Sequence, residues 1–215
     1  MDSKAIAIVS KELVHAGKEL YNRGLVKGTS GNISAKIPGA DTFLIKPSGA
    51  CLGKLHENEL VLVDLKGKKV SGQGAVSAET PMHAAIYRSR QDVQAVVHTH
   101  APTATAFGIV GKEILPLQIE VFLALPKGIP IVPFKQPGSM ALAEAVQKAI
   151  TGYDAVILEN HGIVTVGATL EAACNLNEMV EEAAKIQLAV MMLTEGSISS
   201  LAELEKKFKA YNTVK

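Results

Sequence analysis

Two short apolar segments that run directly into histidines constrain this chain more than any other feature. Residues 95–98 (AVVH) and 155–158 (AVIL) are segments of strand length in which every residue before His98, and every residue of the second segment, is apolar. Such runs are typical of strands buried on both faces of a sheet. The first run leads into His98 and His100, and the second leads into His161. The pattern predicts a central sheet, covered on both sides, with imidazoles at the ends of its inner strands.

Segments on either side of these runs predict an α/β fold. Apolar residues recur every three or four positions from Ile6 to Leu20 and indicate a first helix, which Gly24 can terminate. Further helices are predicted over residues 79–88 and about 200–210, and short strands over residues 33–36, 42–46 and 60–64. A chain of 215 residues without repeats or linkers fits one mixed α/β domain over residues 1–215.

A long helix is predicted to follow Thr169, a residue type that favours the N-cap position. Its apolar residues alternate in steps of four and three, which places them on one face. We expect that face to pack on the sheet or on a neighbouring subunit. The stripe consists of Ala172, Leu176, Met179, Ala183, Ile186 and Val190.

Charge and composition argue against several classes of partner. Lys and Arg number 22 against 21 for Asp and Glu, so the chain has neither a broad basic surface for nucleic acid nor an acidic tail. The N-terminal segment contains charged residues from the start, which predicts neither a signal peptide nor a transmembrane helix and favours a cytoplasmic protein. Cys51 and Cys174 are too few for a disulfide framework and are expected to be reduced.

The histidines form a candidate metal site. His98 and His100 are two residues apart at the end of a predicted strand, so the alternation of a strand directs both imidazoles to the same face. His161 can supply a third ligand. Three imidazoles that leave coordination positions open are typical of a catalytic zinc site, whereas an H-x-H pair alone also occurs as ordinary polar surface.

A carboxylate and two loops of small residues complete the set of candidate groups. Glu79 lies in the segment SAETPMH at residues 77–83, where the helix dipole favours an acid even without a catalytic role. His83 follows one turn later and is interpreted as a core histidine outside the site. The loops at residues 28–34 (GTSGNIS) and 46–49 (KPSG) can offer backbone N–H groups to an anion, although turns use the same residue types.

Taken together, these motifs resemble the class II aldolase and adducin head family, and within it most nearly the fuculose-1-phosphate aldolases. The resemblance covers nearly the whole chain. It implies a three-layer α/β/α sandwich around a mainly antiparallel sheet, assembled as a cyclic homotetramer with active sites between adjacent subunits. The motifs that carry it, in family order, are residues 28–34, 47–49 (PSG), 77–83, 97–100 (VHTH) and 160–162 (NHG).

The same resemblance implies a reaction and its residues. One Zn²⁺ per subunit would polarise a ketose 1-phosphate such as L-fuculose 1-phosphate, which is cleaved to dihydroxyacetone phosphate and an aldehyde. Glu79 would lie near the metal, could coordinate it before substrate arrives, and would move the carbon-bound proton. Tyr211 resembles the residue that exchanges a proton with the aldehyde oxygen. The implied metal ligands are His98, His100 and His161, and the implied phosphate-binding residues are Asn32, Ser48, Gly49 and Ser77.

Two positions depart from the pattern of the fuculose-1-phosphate aldolases. Ala78 stands where a second serine precedes the catalytic acid, which removes one hydroxyl from the implied phosphate site. The expected second tyrosine is absent near residues 116–120, where Glu120 either replaces that acid or is surface charge. Both departures concern substrate contacts and leave the metal ligands intact.

Four alternatives remain open within the same superfamily. Pentulose-5-phosphate 4-epimerases share the zinc and the bond cleavage but usually have aspartate in place of Glu79. Methylthioribulose-1-phosphate dehydratases lack a carboxylate matching Glu79, and decarboxylases of oxo-acid phosphates rank beside them. A non-catalytic adducin-like interaction module would be expected to have lost the three histidines.

Overall fold

The computed structural model, which describes residues 2–212 and the side chains of residues 2–208, has an eight-stranded sheet at its centre. The strands are β1 (Asn32–Lys36), β2 (Thr42–Ile45), β3 (Val61–Asp64), β4 (Lys69–Ser71), β5 (Ala95–Thr99), β6 (Ile131–Val132), β7 (Ala155–Leu158) and β8 (Gly162–Gly167). They lie in the order β4-β3-β2-β1-β5-β8-β7-β6. Neighbouring strands are antiparallel except β6 and β7, which are parallel.

Helices cover both faces of this sheet. The helices within the described residues are α1 (Ser3–Asn22), α2 (Thr80–Ser89), α3 (Pro102–Ile109), α4 (Ile119–Ala124), α5 (Met140–Ile150), α6 (Leu170–Leu193) and α7 (Leu201–Asn212). One face packs against α1, α3, α4 and α6, and the other packs against α2 and α5. The predicted three-layer α/β/α sandwich around a mainly antiparallel sheet is therefore confirmed.

The inner strands have the burial that their composition predicts. Residues 95–98 and 155–158 are all buried, because β5 and β7 have helices on both sides. Successive side chains of β5 point to opposite faces: Val97 joins the apolar cluster under α6, whereas Val96 joins the cluster under α2. Burial on both faces explains why these strands read as continuous apolar runs.

The predicted apolar stripe of α6 is only in part the face that packs on the sheet, where Ala183 is buried. Ala172 is exposed, and Leu176 and Met179 are only half-buried. The face that packs on β8 and β5 instead includes Asn177, Glu181 and Gln187. Because these three inward positions are polar, the apolar periodicity indicates the adjacent face.

Several elements of the described chain have no strong sequence signal. The sequence patterns do not predict strands β4, β6 and β8, nor helices α3, α4 and α5. Strand β4 is exposed along its length, so it lacks the apolar alternation that reveals a half-buried strand. Within the described residues, no helix has the length and apolar character needed to cross a membrane.

Candidate metal centre

Three histidines converge at one end of the central strands. One ring nitrogen from each of His98, His100 and His161 lies within 4.8 Å of the others. The centroid of the His98 ring is 5.0 Å from that of His100 and 4.7 Å from that of His161, and the latter two centroids are 5.2 Å apart. The structure therefore brings together all three histidines that the sequence indicates as metal ligands.

The sheet order explains why residues so distant in sequence meet. Strand β8 lies between β5 and β7, and Thr99 is in register with Ile163. The β7–β8 hairpin thus turns at the end of β5, where the histidines are. The His161 N–H donates to the Leu158 carbonyl at 3.0 Å across a turn in which Asn160 has a φ of 55°, a left-handed conformation that asparagine tolerates better than most residues.

Gly162 permits this close approach. A Cβ atom at position 162 would lie 2.2 Å from the Thr99 carbonyl oxygen, 3.0 Å from His100 Cδ2 and 3.2 Å from His98 Cε1. The first distance is far below van der Waals contact, and the obstacle is backbone that cannot move aside locally. Any side chain larger than hydrogen at this position would separate β8 from the histidine cluster.

One hydrogen bond defines the ring state of His98. Its Nδ1 atom is 2.9 Å from the Ile163 carbonyl oxygen, which can only accept, so Nδ1 carries the proton in the neutral imidazole. Nε2 then presents a lone pair toward the cluster, as a metal ligand requires. His98 is completely buried, and its ring orientation is fixed from the side opposite to the cluster.

Glu79 lies beside the same nitrogen atoms. Its Oε2 is 3.1 Å from His98 Nε2, and its Oε1 is 3.4 Å from His161 Nε2. The residue immediately precedes α2, with only 8% of its surface exposed. Because α2 covers the face of the sheet to which His98 points, the start of this helix carries the carboxylate to the cluster.

The protonation states of these groups favour a cation. Burial alone would raise the pKa of Glu79, but the charge and hydrogen bond of His98, the Asn32 amide and the charge of His161 lower it well below its usual range. Burial lowers the pKa of His100 to about 4, and burial likewise lowers that of His161 to about 4. Near pH 7 His100 and His161 are thus neutral imidazoles close to an ionised carboxylate.

The donor set fits a divalent metal ion. Among the described residues, Glu79 Oε1 is a buried oxygen without a hydrogen-bond partner, and leaving a buried carboxylate oxygen unpaired is costly. Three imidazole nitrogens and one carboxylate are ligands that Zn²⁺ and related transition metals prefer. A cation held here would satisfy Oε1 and offset the desolvation of the carboxylate.

The four residues predicted to bind phosphate fall into two groups. The Asn32 Nδ2 donates to Glu79 Oε2 at 2.8 Å, and the Ser77 Oγ accepts from the Glu79 N–H at 3.4 Å, so both lie beside the candidate base. Ser48 and Gly49 are exposed and line a cavity of about 450 Å³ on the neighbouring surface. Asn32 and Ser77 are not among the residues that line this cavity.

Lys46 connects the loop that contains Thr29 with the PSG turn, and the sequence patterns do not indicate this role. It is only 2% exposed, and its Nζ donates to the carbonyl oxygens of Thr29 and Ala50, both at 2.8 Å. Burial lowers its pKa, while the charges of Cys51 and Glu79 raise it. Its position between a strand and the PSG turn was the available signal, but lysine on a sheet usually lies at the surface.

Glu120 and Tyr211, the last two candidate residues, belong to helices α4 and α7. Glu120 is exposed in the first turn of α4 and lines a cavity of about 600 Å³ together with Arg23 and Glu181. None of the three histidines is among the residues that line this cavity. Tyr211 belongs to α7, and its side chain lies outside the described residues.

Helix α6 supports the histidine strand from the opposite face. The Thr99 Oγ1 donates to Asn177 Oδ1 at 2.7 Å, and Asn177 Nδ2 donates to Thr165 Oγ1 at 3.1 Å. Just after His100, the backbone N–H groups of Thr103 and Ala104 donate to the buried carboxylate of Glu181. The backbone on both sides of His100 is thereby attached to α6.

Comparison with known proteins agrees with the fold. Residues 11–188 match the model of the "Class II Aldolase and Adducin N-terminal domain" family. An L-fuculose phosphate aldolase of Methanococcus vannielii is 39% identical over 84% of this chain and 96% of its own length. A 5-methylthioribulose-1-phosphate/5-deoxyribulose-1-phosphate aldolase of Rhodospirillum rubrum is 35% identical over 93% of this chain and 90% of its own.

A solved structure of an L-fuculose 1-phosphate aldolase superposes with a TM-score of 0.85 at 30% identity, covering 97% of this chain and 98% of that chain. The family match extends over the strands, the hairpin and the helix start that carry the three histidines and Glu79. The chain therefore belongs to the class II aldolase and adducin family and is an aldolase-type lyase.

Proposed function

We propose that the protein is a zinc-dependent aldolase that cleaves a ketose 1-phosphate into dihydroxyacetone phosphate and an aldehyde. The observation that carries this proposal is the position of the Glu79 carboxylate, whose two oxygens lie 3.1 Å and 3.4 Å from the Nε2 atoms of His98 and His161. Bond cleavage next to a carbonyl requires an electrophile and a base within reach of the same carbon atoms. The cluster supplies both kinds of group at one place.

His98, His100 and His161 would hold the zinc ion, with Glu79 as a fourth ligand before substrate arrives. When bound, zinc supplies a Lewis acid that polarises the substrate carbonyl. The Ile163 carbonyl keeps the His98 Nε2 lone pair directed at the metal position. The burial of His98 and Glu79 excludes bulk water from the base and strengthens electrostatic interactions there.

Glu79 would deliver the proton that the carbon of the dihydroxyacetone phosphate fragment gains once the carbon–carbon bond has broken, and it would remove that proton in the reverse direction. Its low pKa keeps it ionised in the resting state, and the hydrogen bond from Asn32 fixes Oε2. Oε1, which has no hydrogen-bond partner among the described residues, is the oxygen available to receive a proton. Oε2 thus holds the carboxylate in position, and Oε1 carries the proton.

Lys46 would provide the positive charge for the substrate phosphate, beside Asn32, Ser48, Gly49 and Ser77. Its two hydrogen bonds go to carbonyl oxygens of the loops that contain the predicted phosphate-binding residues, so they orient the ammonium group without neutralising it. Phosphate recognition commonly combines a lysine with backbone N–H groups of a small-residue loop. Ala78 would leave this site with one hydroxyl fewer than a serine pair provides.

The substrate class follows from chemistry shared by the named relatives. Their names give L-fuculose phosphate, 5-deoxy-D-ribulose 1-phosphate and 5-methylthioribulose 1-phosphate as substrates, which are all 1-phosphates of ketoses. L-Fuculose 1-phosphate and the 5-deoxypentulose 1-phosphates are thus the first compounds to test. We infer that Tyr211 or Glu120 exchanges a proton with the oxygen that becomes the aldehyde oxygen: it takes the hydroxyl proton during cleavage and returns it in the reverse reaction. Glu120 would have to come from a neighbouring subunit of a cytoplasmic homotetramer.

The test is an assay over a panel of sugar phosphates. Fuculose 1-phosphate, rhamnulose 1-phosphate, 5-deoxyribulose 1-phosphate and ribulose 5-phosphate are each incubated with protein that contains about one zinc per chain. Release of dihydroxyacetone phosphate, abolished by a chelator and restored by Zn²⁺, would support the proposal. Epimerised pentulose phosphate without triose phosphate would indicate the 4-epimerase, and full activity of metal-free protein would refute zinc chemistry.

Lys46 has its own variant and control. Lys46→Met removes the charge but keeps the apolar part of the side chain, and it should raise KM for a ketose 1-phosphate by at least about tenfold, as expected for loss of a charged contact. Lys54→Met changes an exposed lysine nearby and should leave KM unchanged. An unchanged KM in Lys46→Met would remove this residue from phosphate binding.

A further inference from the structure

A chain of buried polar side chains leads from Glu79 into the core between α2 and β1. Glu79, His83 and Tyr87 are spaced by four residues, so they lie on one side of α2. Asn32 and Ser34 are two residues apart on β1 and point to the same face of the sheet. These five side chains alternate between the helix and the strand, and each touches the next.

The contacts are short and lie away from solvent. Asn32 Oδ1 is 2.5 Å from His83 Nε2, and the Ser34 Oγ is 2.7 Å from His83 Nδ1 and 2.7 Å from the Tyr87 hydroxyl. Ser34, His83 and Tyr87 have no exposed surface, and Asn32 is 5% exposed. A polar chain that is so fully buried needs every donor matched to an acceptor.

The direction of each hydrogen bond follows from its two ends. Asn32 Nδ2 donates to the Glu79 carboxylate, so Asn32 Oδ1 faces His83 and must accept from a protonated Nε2. Burial lowers the pKa of His83 to about 3, and a neutral ring with a proton on Nε2 has an unprotonated Nδ1. Ser34 then donates to Nδ1 and accepts from Tyr87, whose pKa burial raises.

We propose that His83 is a positioning residue for Glu79, which it orients through the Asn32 side chain. The Nε2–H of His83 can donate to an amide oxygen but not to an amide N–H group. A rotation of the Asn32 amide by half a turn would break this bond and would turn Oδ1 toward the Glu79 carboxylate, where two oxygens repel. His83 therefore selects the amide orientation that donates to Oε2 and leaves Oε1 free to act.

This inference rests on the proposed role of Glu79 as the base, and it changes the interpretation of His83 as a core residue without a part in the site. A histidine that only fills the core would be replaced equally well by either amide of similar size. A histidine that acts through its Nε2 proton would not, because the two amides place their N–H groups differently. The comparison of His83→Gln with His83→Asn separates these two possibilities.

His83→Gln puts an amide N–H near the position of Nε2 and can still donate to Asn32. His83→Asn puts its amide near Nδ1, where it can pair with Ser34 but cannot reach Asn32. We expect His83→Asn to lower kcat by about ten- to a hundredfold, the range expected when a catalytic group is misplaced, while His83→Gln keeps kcat within about threefold. KM, zinc content and unfolding temperature should be similar in the two variants.

Equal kcat values in the two variants at equal zinc content would overturn the proposal. A double-mutant cycle tests the route: in an Asn32→Ala background, which has no amide to orient, His83→Asn should lower the residual kcat by less than about threefold. A full additional loss in that background would show that His83 acts on Glu79 by another path, and would also refute the proposal.

A measurement without catalysis separates this inference from the proposed function. In metal-free protein, long-range ¹H–¹⁵N correlation spectra report which ring nitrogen carries the proton. We expect His83 to be neutral with its proton on Nε2 at pH 7. The His83→Asn spectrum lacks the signals of this ring and so identifies them. A proton on Nδ1 would refute the orientation of the chain even if the protein is an active aldolase. Failure of every sugar phosphate with the Nε2 proton present would refute only the function.

Discussion

Replacement of Glu79 by glutamine tests the central group of the site with the smallest change in shape. The glutamine carbonyl oxygen can still accept from Asn32 Nδ2, which donates to Glu79 Oε2 at 2.8 Å. The amide nitrogen would then occupy the position of Oε1, 3.4 Å from His161 Nε2. The variant therefore keeps the packing and loses the negative charge and the second acceptor.

The expected loss of rate follows from the role of Glu79 as a general base, which needs both the negative charge and the second acceptor oxygen. A positioned general base contributes about 10²- to 10⁴-fold to a rate, which corresponds to about 2.7–5.4 kcal/mol of activation free energy at 1.36 kcal/mol for each tenfold step. Three imidazoles remain to bind zinc, so metal content should stay near one ion per chain. We expect kcat of Glu79→Gln to fall by at least about two orders of magnitude.

Two assays separate proton transfer from the rest of the reaction. The first follows release of dihydroxyacetone phosphate with a coupled dehydrogenase. The second follows exchange of deuterium from solvent into dihydroxyacetone phosphate in the absence of aldehyde, which requires the base but no carbon–carbon bond cleavage. Both rates should fall together. Glu144→Gln, an exposed acid on α5, is the control, and wild-type exchange in Glu79→Gln with zinc bound would refute the assignment of Glu79 as base.

Three further predictions concern the support of the cluster. Gly162→Ala would place a Cβ 2.2 Å from the Thr99 carbonyl oxygen and should weaken zinc binding, measured in competition with a chelator. A Cβ at position 152 would have no neighbouring atom within 4 Å, so Gly152→Ala should bind zinc as the wild type does. Asn177→Leu leaves the buried Thr99 hydroxyl without its acceptor and should lower the unfolding free energy of the metal-free protein by about 1–3 kcal/mol, while Asn175→Leu on the exposed side of α6 changes it little; equal stabilities would contradict the role of Asn177. Because burial lowers the pKa of His83 to about 3, the unfolded chain binds a proton that the folded chain excludes below about pH 6.5, so stability falls as pH decreases through this window. Denaturant titrations of metal-free His83→Gln from pH 4 to 6 should show a slope smaller by about 1.4 kcal/mol per pH unit.

The apolar strands and the histidines after them could be predicted because one physical cause acts on each. Residues 95–98 and 155–158 are buried on both faces, so nearly every position is apolar and the signal is strong. Once these runs are inner strands, His98 and His161 must lie at strand ends. Their meeting requires the strand order β5-β8-β7, which the periodicity of the sequence does not predict.

The missed features are those in which buried polar groups replace apolar ones. Lys46 and His83 are buried and hydrogen-bonded, and a single sequence does not distinguish them from an exposed lysine and an ordinary core histidine. Asn177 and Glu181 obscure the buried face of α6 in the sequence, because a polar residue that points inward does not appear in the apolar stripe. Pairwise contacts between distant segments satisfy these groups, and no local pattern records such contacts.

Hydrogen bonds from buried polar side chains of α6 hold three other segments of the fold against this helix. Asn177 attaches to strand β5, Glu181 to the start of α3, and Gln187 to the backbone of Glu113 and Leu115. One inserted residue between Asn177 and Glu181 would turn the rest of the helix by about 100° and would detach the last two contacts together. Length, more than composition, is thus the property of α6 that evolution can change least, and homologous chains should align through this helix without gaps.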